Sequence, residues 1–430
     1  MSGSWEPRVR GAWILVLLGV LGSCQFVGTV PAHAQKAVAI VGGDLYTITN
    51  GVIRGGTLVV ENGKIARIGT NVQVPPGAEV IDAKGKVVMP GLVAARLSGL
   101  VGGSTKKVAD ALDPYHQVVS FALASGVTAG YVQVGGAGSA PTGGTNAVVR
   151  MAEGDLDGML LREPVAINIA YSNSGPRLKA LLRLDFVRAQ EYLRKRVQYD
   201  KDKAAGKQVE EPKAPSGIEP MLKLLRRELP ARMSASSAND ILGALELVDD
   251  FGIRLIIEGV VEGWTIAEEI AKRDVDVIVS PRRVQSPNRD IAAPTGSSDE
   301  QAAILKRAGV RLAIVPVSTS FSTWGGFGDD LFTLPLEAAY AVGGGLDEQT
   351  ALEAITINPA EMLGVGDRIG SLQEGKDADI IILDGHPLHY STFVELTLVK
   401  GKVLYDKSKS TYFSHIRPRG DGPAADEAEE

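Results

Sequence analysis

Histidine and cysteine are the side chains that most often build catalytic metal centres, and this chain contains few of either. The five histidines are His33, His116, His386, His389 and His415, and Cys24 is the only cysteine. A single thiol forms no disulfide within the chain and supplies no set of thiolate ligands for zinc. A metal centre would therefore have to be built from histidine, carboxylates or a modified lysine. The spacing of His386 and His389 would suit an adventitious metal, but the pattern puts both beside a surface loop.

The glycine-rich stretch over residues 135–146 is a second segment that could do chemistry, because glycine-rich loops can bind phosphate. It has neither a following Lys-Ser or Lys-Thr pair nor a G-x-G-x-x-G frame. We therefore interpret it as a structural loop rather than a phosphate site.

The bulk composition indicates a globular protein of mixed α/β class. Hydrophobic residues make up 44% of the chain and charged residues 22%, and the 50 glycines suit a protein with many strand-to-helix turns. The formal net charge of −6 shows no basic excess, so no nucleic-acid partner is expected. A chain of 430 residues is too long for one small core, which predicts a large barrel and a smaller domain.

The first 34 residues have the pattern of an export signal. Two arginines precede an apolar run over residues 12–21, and this run is shorter than the roughly 20 residues that span a bilayer. Two processing routes remain open. An Ala-x-Ala motif at residues 32–34 fits cleavage before Gln35, whereas residues 21–24 are similar to a lipobox, which would make Cys24 a lipid anchor. We expect an exported protein in the periplasm or on the cell surface.

Short β-branched runs broken by glycine, asparagine and proline fill residues 36–88 and return over residues 369–408. Asn62-Gly63 separates two of the early runs and is typical of a tight type I′ hairpin. Lys400-Gly401 separates two of the late ones in the same way. We predict that these two segments together form one small β-sandwich domain.

Between these segments, over residues 89–368, apolar strand-like runs alternate with amphipathic stretches. This alternation is typical of parallel strands with helical crossovers, and the number of units suits a (β/α)8 barrel of the TIM type. Helices are predicted over residues 114–125, 178–198, 238–250, 265–273 and 299–309. The charged residues 199–216 are interpreted as an exposed insertion, and residues 409–430 as a disordered tail.

Three motifs give the chain a resemblance to a known family. They are Met89-Pro90-Gly91-Leu92-Val93, the run AITINPA over residues 354–360, and the run IGSLQEGKDAD over residues 369–379. They resemble the segments that begin and end the barrel in the metal-dependent amidohydrolase superfamily, in members related to imidazolonepropionase and dihydroorotase. The resemblance implies hydrolysis of non-peptide carbon–nitrogen bonds as the family activity. Within the last run, Gly375 to Asp379 is interpreted as a structural turn.

The resemblance also implies where metal ligands should lie. In the family, a His-x-His pair follows strand 1, a carboxylated lysine or a glutamate lies on strand 4, single histidines lie on strands 5 and 6, and an aspartate lies on strand 8. These ligands hold ions that activate water and polarise the scissile carbonyl. The corresponding residues are Arg96, Ser98, Asn168, Ser234, Gly259 and Val317, or Ser318 if the register slips by one. We therefore expect no metal and no other cofactor.

The residues expected at the mouth of such a barrel leave several roles open. The candidates for ligand binding are Arg96, Asn168, Ser234, Asp240 and Glu258, and Tyr171, Asn173 and Glu262 are expected nearby. An arginine and a carboxylate can bind an anionic or amide ligand, and Glu258 with a raised pKa could be a general base. Arg96 could instead pair with a carboxylate and fill the vacated cavity, and Asp240 could cap a helix.

The preferred hypothesis is a metal-free, catalytically degenerate relative of the amidohydrolases. It would bind a small molecule or act as the partner of an active paralogue, and it could form a homo-oligomer. One alternative is a metal-independent hydrolase that uses Glu258 or Asp240 together with Arg96. The other alternative is a structural subunit of an exported complex.

Overall fold

The structure is a computed structural model that describes residues 36–410, apart from 103–106, 136–141, 172–174, 289, 291–292 and 322–329. The export signal and its two processing motifs lie outside the described residues, as does nearly all of the C-terminal tail. Within the described part of the chain, no helix is both long enough and apolar enough to cross a membrane.

Five short strands begin the described chain. They are β1 (Val38–Tyr46), β2 (Val52–Glu61), β3 (Lys64–Gly69), β4 (Glu79–Asp82) and β5 (Val87–Pro90). The first three pair as an antiparallel meander, and β4 and β5 both run parallel to β1. In the turn between β2 and β3, Asn62 and Gly63 have φ values of 51° and 76°, the positive values that a type I′ turn needs at both central positions.

The barrel part opens with a four-stranded sheet. Its strands, in order, are β6 (Leu92–Leu97), β7 (Val127–Val134), β8 (Thr145–Arg150) and β9 (Leu160–Arg162). The helix α1 (Gln117–Ala124) connects β6 to β7, which are parallel, and α2 (Leu156–Met159) precedes β9. The pairs β7–β8 and β8–β9 are antiparallel, so this region departs from a strict succession of parallel units.

A five-stranded parallel sheet follows. Its strands, in order, are β10 (Ile167–Ile169), β11 (Ala231–Ser234), β12 (Leu255–Val260), β13 (Asp276–Val279) and β14 (Leu312–Ile314). Helices fill the connections between them: α3 (Pro176–Ala204), α4 (Glu219–Leu225), α5 (Ala238–Phe251), α6 (Ala267–Ala271) and α7 (Gln301–Arg307). Parallel pairing requires such crossovers, as the sequence predicted.

The helix α3 is longer than the sequence predicted. We expected it to end near residue 198 and the charged residues after it to form a loop, but the helix continues to Ala204. Of the charges that suggested a loop, Asp200 pairs back along the helix with Arg196 at 3.4 Å, as Glu191 does with Lys195 one turn earlier at 2.8 Å. Such pairs four residues apart stabilise a helix, so the interpretation of residues 199–204 as a loop was wrong.

Hydrogen bonds join the two sheets of the barrel part at both edges. On one side, the Asn146 side chain accepts from the backbone N–H groups of Val165 and Ala166, which lead into β10. On the other side, Ile314 N–H donates to Ala354 at 2.9 Å, and Val93 N–H donates to Ile355 at 2.9 Å. Residues 354–355 thus connect β14 to β6, as the closure of a barrel requires.

The remaining elements lead back to the first strands. They are α8 (Leu334–Gly343), α9 (Glu348–Glu353), α10 (Ile357–Met362), β15 (Ile380–Leu383), β16 (Val394–Val399) and β17 (Lys402–Asp406). Since β15 pairs with β5, the early and late strands form one eight-stranded sheet. Ile65 N–H donates to Lys376, and Ala378 N–H donates to Gly63. Buried hydrophobic residues from the early and late strands form a small core of their own.

Candidate functional site

A cavity of about 350 Å³ lies where several barrel strands end. Its polar lining residues are Arg96, Ser234, Ser236, Glu258, Ser280, Arg283 and Thr319. Arg96, Ser234 and Glu258 come from the ends of β6, β11 and β12, and the other four follow β11, β13 and β14. Because parallel strands of a barrel end at the same face, residues far apart in sequence meet there.

The Glu258 carboxylate lies at the centre of a hydrogen-bond network in this cavity. Its Oε1 accepts from Arg96 Nη1 at 2.6 Å and from Ser234 Oγ at 3.0 Å. Its Oε2 accepts from Arg232 Nε at 2.9 Å and from Arg232 Nη2 at 2.7 Å. An ionised carboxylate has about four acceptor sites, so these four bonds use its capacity.

The Arg232 guanidinium forms the buried side of this network. Its side chain is only 2% exposed, and Nη2 also donates to the carbonyl of Ala95 at 2.9 Å. The guanidinium carbon lies 3.8 Å from the centroid of the Tyr131 ring, a cation–π contact. The Tyr131 hydroxyl donates to Asn168 Oδ1 at 2.8 Å. Asn168 therefore lies beneath the cavity and connects to Arg232 through Tyr131.

The Glu258 carboxyl is ionised far below neutral pH. Burial favours the neutral acid, but the charges of Arg232 and Arg96, with hydrogen bonds from Arg232 and Ser234, lower the pKa of Glu258 to about 2. The alternative in which Glu258 is a general base required a raised pKa, and the lowered pKa contradicts that condition. The second arginine, Arg232, supplies two of the four hydrogen bonds.

The positions that correspond to the family's metal ligands converge in space. Four of them line the cavity, namely Arg96, Ser234, Gly259 and Val317. Ser98 Oγ lies 2.9 Å from Thr319 Oγ1, beside the same cavity. For the strand 8 position, Val317 lines the cavity while Ser318 Oγ contacts Ser320 Oγ at 3.0 Å. The structure thus brings most of these positions to one cavity, and none of them carries a histidine or a carboxylate.

These side chains do not fit a divalent cation. Among the described lining residues Glu258 is the one carboxylate, and the guanidinium groups of Arg96 and Arg232 already occupy its acceptor sites. Over the described ranges, no group of three or more His, Cys, Asp or Glu side chains lies close enough to hold a metal ion. The chemistry of this donor set favours an anion rather than a cation.

Asp240 is not among the residues that line the cavity. It lies in the first turn of α5, where its N–H donates to the N-cap Ser237 Oγ at 3.2 Å and its carboxylate pairs with Lys179 at 3.2 Å. Glu262 is also structural, since it accepts from the N–H groups of Ala238 and Gly296 at 2.9 Å. Asp240 therefore belongs to the start of a helix, which agrees with the interpretation of Asp240 as a helix-capping residue.

The histidines within the described residues have local partners. His116 is the N-cap of α1, where its Nδ1 accepts from Val118 N–H at 3.2 Å. His386 Nε2 lies 3.7 Å from a Glu348 carboxylate oxygen, and His389 Nδ1 lies 3.0 Å from Ser391 Oγ. All three belong to turns or helix ends rather than to the cavity. Asn173, His33 and His415 lie outside the described residues.

Arg232 is the main site residue that the sequence did not single out. One signal for it exists, because side chains two residues apart on a strand share a face. Since Ser234 corresponds to a ligand position, Arg232 had to point towards the barrel interior as well. Arg283 carries no such signal, because it lies in the long connection after β13.

Comparisons with known proteins agree with this fold. A family model described as the amidohydrolase family matches residues 302–404. The chain is 34% identical to amidohydrolase tasK of Hapsidospora irregularis over 86 residues, which are 20% of this chain and 9% of that protein. It is 34% identical to imidazolonepropionase of Thermoplasma volcanium over 85 residues, or 18% of this chain and 20% of that protein. The chain thus matches a fifth or less of these curated relatives.

Solved structures extend the likeness to most of the chain. An amidohydrolase from Thermotoga maritima MSB8 is 26% identical and has a TM-score of 0.69, with 86% of this chain and 100% of that chain covered. Phenylurea hydrolase B is 15% identical, with a TM-score of 0.54 over 87% of this chain and 98% of that one, and it shares the fold alone.

The fold is therefore that of the α/β barrel hydrolases. The match over residues 302–404 and these likenesses support placing the chain in the amidohydrolase superfamily.

Proposed function

We propose that this protein is a metal-independent, non-hydrolytic member of the superfamily whose barrel cavity binds a small molecule. The observation that carries the proposal is the ion triad of Arg96, Glu258 and Arg232. Arg96 is at one of the metal-ligand positions that the resemblance implies, which supports the proposal. The apolar run and processing motifs of residues 1–34 support the further proposal that the protein is exported.

The triad opposes metal binding for two physical reasons. The hydrolytic chemistry of the superfamily needs one or two divalent ions that activate water and polarise a carbonyl. Two guanidinium charges at this place would repel such an ion. A metal that recruited Glu258 would also leave the buried charge of Arg232 without its counter-ion, which is costly.

The same geometry argues against a hydrolase that works without metal. A general base is most effective when its pKa lies near the working pH, and the pKa of Glu258 is about 2. All four of its acceptor sites are occupied, so none is free for the proton of a water molecule. Asp240 does not line the cavity. The alternative that uses these residues with Arg96 therefore lacks a working base.

The volume and the polar lining of the cavity support a binding role. Its volume of about 350 Å³ lies within the range of roughly 300–1,000 Å³ that is typical of small-molecule sites. The hydroxyl groups of Ser234, Ser236, Ser280 and Thr319 converge on it, beside the charged groups. Binding by Arg96 and these neighbours follows from this arrangement, with Asn168 supporting them from below.

The proposal is tested by pairing an activity assay with a binding screen. Protein comprising residues 35–430 is assayed on a panel of dipeptides and cyclic amides, with and without added zinc. A small-molecule library is then screened by thermal shift on the wild type and on Ser280→Trp, which narrows the cavity. We expect no turnover and at least one compound that stabilises only the wild type. Turnover would refute the proposal, whereas a co-purifying protein with no small-molecule ligand would favour a subunit or partner role.

A further inference from the structure

The charged groups at the cavity are not balanced. Among the described residues that line the cavity, Arg96 and Arg283 are two cations and Glu258 is the one carboxylate. Arg232, directly behind Glu258, adds a third guanidinium. Three positive charges thus surround one negative charge in a partly enclosed space. A negatively charged ligand would reduce this imbalance.

Glu258 does not satisfy the remaining donors of these arginines. Arg96 uses one N–H group on Glu258, and its side chain is 43% exposed. The Arg283 side chain makes no hydrogen bond or ion pair with any residue in the described part of the chain. Because all four acceptor sites of Glu258 are occupied, the remaining N–H groups of both solvent-accessible arginines are available to water or to a ligand.

The wall beneath the cavity also has more donors than acceptors. Arg232 Nη1 and Asn168 Nδ2 are buried and have no hydrogen-bond partner. The two residues are directly paired on the neighbouring strands β10 and β11. Unpartnered buried donors are costly, and this region has two of them side by side. In the described part of this wall, two buried donors therefore lack acceptors.

Arg96 and Arg283 reach the same strand end. Arg96 Nη1 binds the Glu258 carboxylate. Gly259, the next residue, has a φ of 71°, and a Cβ at this position would lie 3.5 Å from Arg283 Nη1. A larger side chain at position 259 would extend towards the Arg283 guanidinium. Glycine leaves the space beside this guanidinium open.

We infer that the ligand of this cavity is a small organic acid, held by its carboxylate between Arg96 and Arg283. The inference rests on the proposed binding function and names its ligand class. A carboxylate supplies two charged oxygens that match the donor geometry of a guanidinium. Glu258 acts as the positioning residue, because it fixes the Arg96 side chain without using up its donors.

The test uses matched pairs of ligands that differ in charge but hardly in shape. Acetate, succinate and N-acetylglycine are each titrated calorimetrically into the protein at low ionic strength, in parallel with their amides. We expect at least one acid to bind more tightly than its amide by about tenfold or more. Arg96→Gln and Arg283→Gln should each weaken that acid by roughly fivefold or more, while the exposed Arg307→Gln, remote from the cavity lining, should bind as the wild type does.

The outcomes separate this inference from the function on which it rests. If amides bind as tightly as acids, or if both arginine variants bind like the wild type, the carboxylate inference is wrong. If no acid binds but a neutral compound from the thermal-shift screen does, the inference also fails, while the binding function stands. If no compound of any kind binds, both fail together.

Discussion

Glu258 holds a buried positive charge in place. Arg232 is 2% exposed, and Glu258 is its ion-pair partner within the described residues. Replacing Glu258 with glutamine would leave this guanidinium buried without a counter-ion, at a cost of roughly 3–5 kcal/mol in the free energy of unfolding. Arg96→Gln removes the half-exposed partner of the same carboxylate and should cost only about 1 kcal/mol or less. Urea unfolding at neutral pH compares them, and equal losses would contradict the role of Arg232.

The lowered pKa of Glu258 also predicts how stability depends on pH. The carboxyl has a pKa of about 2 when folded, against 4.5 as its ordinary value. A lowered pKa means that the ionised carboxylate stabilises the fold above about pH 5, and that this contribution disappears as pH falls towards 2. It amounts to about 3 kcal/mol at 1.4 kcal/mol per pKa unit.

The measurement is the difference in unfolding free energy between wild type and Glu258→Gln across this pH range. The subtraction removes the effects of other acidic groups that titrate in both proteins. We expect the difference to shrink steadily from pH 5 towards pH 2. A difference that stays constant would show that Glu258 titrates normally.

For single residues, the sequence predicted which positions lie at the cavity better than it predicted which side chains contact one another there. Arg96, Ser234 and Val317 were placed at ligand positions by counting along strands, and the structure brings them to one cavity. The lowered pKa of Glu258 could not be predicted from the sequence, because it depends on which side chains cross the barrel to contact the carboxyl. No local pattern encodes that contact.

Arg150 joins an element of the barrel to the sheet formed by both ends of the described chain. It lies in β8, is 1% exposed, and donates to Asp379 at 2.8 Å and also to Asp377. These aspartates precede β15 in the run that we interpreted as a structural turn. Burial raises the pKa of Asp379, against the opposing charge of Arg150. The motif is thus held by a buried ion pair.

Removing the arginine should separate its structural role from that of a surface charge. Arg150→Met leaves Asp379 buried without a cation, and we expect a loss of roughly 3 kcal/mol or more in unfolding free energy at neutral pH. Arg368 also binds Asp377 but is 37% exposed, so Arg368→Met is the control and should cost about 1 kcal/mol or less. Comparable losses in urea unfolding would show that burial of Arg150 has no special effect.

Element types were more predictable than element ends and pairings. Parallel strands and crossover helices followed from apolar periodicity, which burial on both faces of a sheet imposes. The antiparallel strands β8 and β9 were not foreseen, since a strand's direction leaves no trace in its periodicity. Gly259 gives a further example, because its φ of 71° is a backbone property of a bulge in β12. The sequence shows only that a glycine stands at a ligand position.

For the whole molecule, the fold could be predicted because the motifs at residues 89–93 and 354–379 carry scaffold geometry. They form the end of β5 with the start of β6, the segment that connects β14 to β6, and the turn before β15. The same motifs say nothing about activity, which depends on side chains at the strand ends. Activity of this barrel on a substrate therefore depends on the side chains at six or seven positions and not on the fold.

The metal content of the purified protein shows directly whether the barrel mouth binds a catalytic metal. Protein comprising residues 35–430, prepared in zinc-supplemented medium without a histidine tag, is examined by elemental mass spectrometry, and its melting temperature is recorded with zinc and with a chelator. We predict far less than one metal ion per chain and no shift in melting temperature with either addition. Near-stoichiometric zinc that is lost in Glu258→Gln would contradict the account.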